Sequence, residues 1–380
     1  MNILFITPSV VQPLNGGIER ITYSLSKVLE TDYQYGCFFW DLETGGDVQH
    51  VESLICEQHI EIIVAQGANK RISRLLPSLR MFANQMDWKV SLLFVFHSNP
   101  GVELATMDYG CLLDRILHKQ DLSANLKQLA WQIFLPLLRK GMLRHLAKKY
   151  RAPYEIADKV VLLSEKFIPD YCSIAGCDTT KMAAIPNMLS FPLEQYYPCD
   201  KEKTVLVVSR MEERQKRMKM VMRIWKEVEN QGWDLKIVGV GEDFDYYKRL
   251  AERWHLQNIS FEGRQNPLPY YQSASIFLMT SAFEGWGLTL TEAQQCGCVP
   301  VVFNTYASLT DIIEHDRNGL IVEEGDVCQY VSALRTLMHD DALRQRLAQH
   351  AAEDCLRYTP QKVAARWDAL FKSLKGDIIN

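Results

Sequence analysis

The sequence predicts two doubly wound α/β domains, and three observations carry that reading. Short apolar runs alternate with amphipathic helical patterns, the signature of βαβ units and parallel sheets. The 380 residues exceed the roughly 100–200 that one domain core usually organises. The alternation also breaks once, in SFPLEQYYPCDKEK (190–203), a polar stretch with two prolines and neither helical nor strand periodicity, which reads as a linker.

The first domain, 1–190, draws its strands from NILFI (2–6), YGCFFW (35–40), IEIIVA (60–65), KVSLLFVF (89–96) and DKVVLLS (158–164). After the first strand the loop TPSVVQPLNGG leads into a helix, IERITYSLSKVLE, and the pair Gly16–Gly17 lets backbone approach a ligand closely. His97 follows the strand SLLFVF, at a carboxyl end; a lone histidine there reads equally as a loop hydrogen-bonding residue. The second domain, 204–358, takes TVLVVS (204–209), DLKIVGV (234–240), NISFEG (258–263), SIFLMT (275–280) and VPVVF (299–303). The tail TPQKVAARWDALFKSLKG (359–376) has a threonine start signal and a glycine stop, and its helix, 360–376, is expected to pack back on the first domain. Ligands of doubly wound sheets bind outside the carboxyl ends of the strands, so two such domains are expected to face a central cleft.

Composition narrows the function classes. With 47% apolar and 23% charged residues the chain resembles an ordinary soluble enzyme. Forty-two basic against 46 acidic residues, net −4, give no case for nucleic acid. The ten cysteines are scattered without zinc spacing and the amino end lacks a signal-peptide pattern, so reduced thiols in the cytoplasm are expected. The run LAWQIFLPLL (129–138) is too short to span a bilayer. Between Asp121 and Glu155, however, Lys127, Arg139, Lys140, Arg144, Lys148, Lys149 and Arg151 interleave with apolar residues and no acid. That composition of 122–154 suits peripheral contact with an anionic membrane, or a buried helix with a basic outer face.

The densest chemistry lies in TSAFEGWGLTLTEAQQCGCVPVVF (280–303). Glu284 and Glu292 stand eight positions apart around Gly285 and Gly287. The pattern places Glu284 at a strand's carboxyl end and Glu292 in the first turn of the next helix. The amides of Gly287, Leu288 and Thr289 would form a helix-terminus anion site. Thr289-Leu290-Thr291-Glu292 also matches a capping box, which alone would justify Glu292, while Glu284 could be a solvated loop charge. Upstream, VVSRMEERQKRMKMVMRIW (207–225) sets Arg210 at a strand end and Lys216, Arg217 and Lys219 at a helix start, where cations oppose the macrodipole by a few tenths of a kcal/mol each. A broken local rule of this kind points to a functional gain, namely cations for a phosphate. Asp243-Phe244-Asp245 spells a D-x-D metal motif, but it opens a helix where acids suit the dipole. No metal and no cofactor are expected.

FEGWGLTLTE followed by EAQQCGCVPVVF and NGLIV (318–322) resembles the retaining glycosyltransferases of the GT-B fold, large family four, and 207–225 resembles that family's strand–arginine–loop–lysine element. The resemblance covers most of the chain and is sharp from Val207 to Val322. It implies Glu284 and His97 beside the transferred sugar, and donor contacts from Gly16, Gly17, Arg210, Lys216, Gly287, Leu288, Thr289 and Glu292, the last on the ribose hydroxyls. Arg217 is a rival to Lys216, because the family's spacing often has one residue fewer. The implied reaction moves a sugar, with retention, from a nucleoside diphosphate donor such as a UDP-sugar to a hydroxyl of a glycan or lipid-linked acceptor in surface polysaccharide or lipopolysaccharide synthesis. A nucleotide-sugar epimerase of the same fold and a non-catalytic sugar-nucleotide-binding subunit are the alternatives.

Overall fold

The computed structural model describes residues 1–13, 16–67, 70–105, 141–192, 201–230 and 232–376. The chain divides into two compact units, Met1–Pro186 with Ala364–Asn380, and Asn187–Val363.

The first unit holds a six-stranded sheet: β1 (Asn2–Thr7), β2 (Gly36–Asp41), β3 (Ile62–Gly67), β4 (Ser91–Phe96), β5 (Lys159–Leu162) and β6 (Met182–Ala184), in the order β2-β1-β3-β4-β5-β6. Every pairing is parallel. Strands β3 and β4 are buried along their whole length, which is why they read as unbroken apolar runs. The chain leaves β1 for β2 on one side and returns to β3 on the other, so the crevice between β1 and β3 is the topological switch point. The helix Gly17–Asp32 starts beyond the carboxyl end of β1.

The terminal helix spans Pro360–Lys375; the Lys362 amide donates to Thr359 Oγ1 at 3.4 Å, and Gly376 follows it with φ +82°. From Ala364 onward it is part of the first unit. Tyr35 donates to Asp368 at 2.5 Å, Arg366 donates to the Ala184 carbonyl at 2.9 Å, and Lys375 pairs with Glu61. Trp367 and Phe371 are buried. Of the basic segment, residues 122–140 lie outside the described residues; 141–156 are helical. This part buries Leu146 and sets Tyr150 against Phe96 and Tyr171, while Arg144, Lys148 and Arg151 are exposed. Among the described residues no helix is long and apolar enough to cross a membrane.

The second unit has its own six-stranded parallel sheet: β7 (Glu202–Val208), β8 (Asp234–Val238), β9 (Ile259–Gly263), β10 (Ala274–Met279), β11 (Val299–Phe303) and β12 (Leu320–Val322), ordered β12-β11-β10-β7-β8-β9. Strand β7 begins inside the stretch read as linker, of which residues 193–200 lie outside the described residues. The sheet's switch point falls between β7 and β10. Its core includes Trp225, Tyr247, Phe303 and Leu334. Tyr330 reaches through it to pin two strands: its hydroxyl accepts from the Met279 amide at 3.2 Å and donates to the Val301 carbonyl. The carboxyl end of β10 is thereby fixed beside β11.

Candidate active site

At the β7–β10 switch point the chain brings together residues about seventy positions apart. Beyond β7 the strand gives way to Ser209 and Arg210, then to the short helix Glu213–Lys216. Beyond β10 run Thr280 to Glu284. The two segments are stitched by backbone: the Ala282 amide donates to the Gln215 carbonyl at 2.7 Å, and Thr280 Oγ1 donates to the Lys216 carbonyl at 2.8 Å. As a result Lys216 Nζ meets Glu284 Oε1 at 2.5 Å, with side chains only 14% and 11% exposed. Gln215 Nε2 adds a bond to Glu284 Oε2 at 3.3 Å and another to the Phe283 carbonyl at 3.2 Å. Arg210, 71% exposed, donates to Gln215 Oε1 at 3.1 Å.

A solvated loop charge is therefore the wrong reading of Glu284. The carboxylate is buried and paired, because β7 and β10 are neighbours. A pair this dry is a poor device for stability, since desolvation offsets most of its Coulomb gain. Its place beyond the carboxyl ends of β7 and β10, at the switch point, is where doubly wound sheets bind their ligands.

The cation cluster also needs correction. Lys216 ends one helix, where a positive charge suits the dipole, and Arg217, left-handed at φ +50°, is the hinge to the next helix, Met218–Glu227. Only Lys219 opposes the dipole of a helix start. Arg217 pairs with Glu324 at 2.6 Å, so Lys216 rather than its rival faces Glu284.

The capping box is overturned as well. Gly287, at φ +93° and ψ +58°, is the N-cap of the helix Leu288–Gln295. Thr289 is then the second helical residue and Glu292 the fifth, beyond the first turn. Glu292 is 1% exposed and accepts from the Tyr271 hydroxyl at 3.1 Å. Gly287, Leu288 and Thr289 do occupy a helix start, whose first amides have no intrahelical acceptor. The loop before them is anchored by Trp286, buried edge-on against Tyr358 with ring centroids 5.1 Å apart. Asp243 is the N-cap of the helix Phe244–Arg253 and Asp245 lies in its first turn. Among the described residues no group of three or more His, Cys, Asp or Glu side chains is placed to hold a metal ion.

In the first unit, Gly16 is the N-cap of its helix; a Cβ there would lie 2.7 Å from a carboxylate oxygen of Glu19, which is buried and accepts from Ser9 Oγ at 2.7 Å. Gly17 is the helix's first residue. His97 lies just past β4, its Nε2 bonded to Gln66 Oε1 near the end of β3. Burial pushes the imidazole down to about 4, so it is neutral at physiological pH. Sequence reasoning missed Gln66 and Gln215, which hold the two expected catalytic side chains. Neither belongs to a spacing motif, and only strand order brings them to their partners.

Residues 194–354 match the family model for glycosyl transferases group 1. An uncharacterized glycosyltransferase of Haemophilus influenzae is 26% identical over 250 residues, 65% of this chain and 70% of that protein. The amylovoran biosynthesis glycosyltransferase AmsD of Erwinia amylovora is 29% identical over 170 residues, 44% and 48% of the two chains. Anabaena HepE, solved in complex with UDP-glucose, superposes on 98% of this chain and 100% of its own with a TM-score of 0.71 at 15% identity. The chain is a glycosyltransferase of the GT-B fold. In this transferase the family match contains Arg210, Lys216, Glu284, Gly287 to Thr289 and Glu292, while Gly16, Gly17 and His97 lie outside it.

Proposed function

We propose that this transferase moves a hexose-type sugar from a nucleoside diphosphate, a UDP-sugar best fitting its relatives, to a hydroxyl of a glycan or lipid-linked acceptor, with retention. The carrying observation is the Lys216–Glu284 pair at the β7–β10 switch point, which sets a fixed cation beside a carboxylate. Cleaving a sugar–phosphate bond needs a positive charge where negative charge grows on the β-phosphate, and Lys216 with Arg210 supplies it. The amides of Gly287 to Thr289 take the donor's remaining oxygens, and Glu292 takes the ribose hydroxyls. Glu284 orients the sugar, and the leaving phosphate oxygen receives the acceptor's proton on the same face, so no protein nucleophile is assigned. His97, neutral and oriented by Gln66, is the first unit's proposed catalytic side chain, with Gly16 and Gly17 at that unit's ligand-facing loop.

The donor class draws support from HepE, solved with UDP-glucose, and the surface-polysaccharide setting from AmsD, an amylovoran biosynthesis enzyme. Contact of 122–154 with the inner face of an anionic membrane fits a lipid-linked acceptor and stands as part of the proposal. Purified protein given a panel of UDP-, GDP- and ADP-sugars should release one nucleoside diphosphate, and the anomer of the glycoside made should match that of the donor. A donor converted to another nucleotide sugar without any acceptor would make the protein an epimerase. An inverted anomer would remove retention.

A further inference from the structure

The loop that carries Glu284 is walled by the segment after β11. Thr305 Oγ1 donates to the Ser281 carbonyl at 2.7 Å, and Ser308 Oγ donates to the Gly285 carbonyl at 3.4 Å. Tyr306 lies between these two ties. It is 6% exposed, and its hydroxyl has no hydrogen-bond partner among the described residues. That hydroxyl lies against the glycine three residues beyond Glu284: a Cβ on Gly287 would be 3.1 Å from it. The indole N–H of Trp286, in the same loop, is buried and likewise has no partner among the described residues. Leaving a buried donor unused costs free energy, so each such group in a native structure needs a reason.

Glu284 supplies one. Its carboxylate pairs with Lys216 at 2.5 Å. If the site takes a nucleoside diphosphate, as proposed above, the phosphate's charge competes for that same ammonium. The carboxylate then loses its strongest partner while still needing to be held. We propose that Tyr306 is a positioning residue whose hydroxyl takes over Glu284 when the diphosphate engages Lys216. Toward a carboxylate the phenol acts as the donor, and burial with the nearby Glu284 charge keeps its proton in place by pushing its titration well above the ordinary range. On this proposal the hydroxyl gains its bond when the diphosphate binds, so its contribution falls on ligand binding and not on folding.

The test pairs Tyr306→Phe with Glu284→Gln and uses UDP, GDP and ADP as probes. Tyr306→Phe removes an unpaired buried hydroxyl, so the ligand-free melting temperature should stay level or rise. Affinity for the diphosphate that the wild type binds should fall about tenfold or more, the worth of a hydrogen bond to a charged group. In the Glu284→Gln background most of that loss should vanish, because the tyrosine acts through the carboxylate. Unchanged affinity in Tyr306→Phe, an equal loss in both backgrounds, or a loss matched by a lower ligand-free melting temperature would each overturn the tyrosine's role. A wild type that binds none of the three probes would instead overturn the reading of the site on which this rests.

Discussion

At the scale of single residues, the structure divides neighbours that look interchangeable in sequence. Lys216 and Arg217 are adjacent cations, yet one meets Glu284 and the other Glu324. Lys216→Ala should weaken nucleoside diphosphate binding by about 1.5–3 kcal/mol, the range for a charge-assisted contact, while Arg217→Ala should change it by less than about 1 kcal/mol. Calorimetry with the diphosphate separates the two. Glu292 is a second case. With the N-cap at Gly287 it has no capping duty, so Glu292→Gln should keep the Tyr271 bond and a near-native melting temperature. Donor affinity should still fall about tenfold, because an amide offers one accepting oxygen where a carboxylate offers two; undiminished affinity would take Glu292 off the ribose. His97 gives a pH signature. Its folded value, about 4, lies below the ordinary 6.5, so between them the unfolded chain binds the proton more readily. Stability from this residue is complete above pH 6.5 and is lost as pH falls toward 4. Denaturant midpoints followed across that window should decline in the wild type and flatten in His97→Gln.

At the scale of elements, the central apolar runs were legible because both sheets are parallel and strands such as β4, β10 and β11 are buried along their whole length, so each shows as an uninterrupted hydrophobic word. The two strands that escaped, β6 and β12, have three residues each and sit at sheet edges, too short to show a period. Helix starts were harder. The Thr289–Glu292 spacing imitates a cap, but the left-handed Gly287 starts the helix two residues earlier, and dihedral angles are not written in side-chain spacing. The pairing of Glu284 with Lys216 was out of reach for another reason, since nothing local says that β7 and β10 are adjacent. Glycines in the β8 turn show how closely the elements approach there. A Cβ on Gly239 would lie 1.9 Å from the Ser209 carbonyl oxygen, beside Arg210. Gly176, at φ +64°, has only open space around its Cβ position. Gly176→Ala should therefore cost the left-handed strain alone, roughly 1–2 kcal/mol. Gly239→Ala should cost more than about 3 kcal/mol, since a backbone oxygen cannot rotate away, and should impair diphosphate binding by displacing the Arg210 turn. Urea midpoints and calorimetry on the two variants give the comparison.

At the scale of the whole molecule, the first unit is discontinuous: it takes Met1–Pro186 and then Ala364 onward. A chain stopped after Thr359 should lose the buried Trp367 and Phe371 and the ties to Tyr35, Glu61 and Ala184. Hydrogen exchange should then show β1 to β6 losing protection while β7 to β12 keep theirs. Equal protection in both would mean that the helix contributes little to the first unit. The same discontinuity sets an order on synthesis. The second unit is complete in sequence once Val363 has emerged, whereas the first must wait for its last helix, roughly 190 residues after Pro186 has been made. At 5–20 residues per second that is a delay of about 10–40 s. The part of the chain translated first is thus the last to be finished, and for that interval the surface destined for Trp367 and Phe371 is open to any chaperone that reads exposed apolar groups.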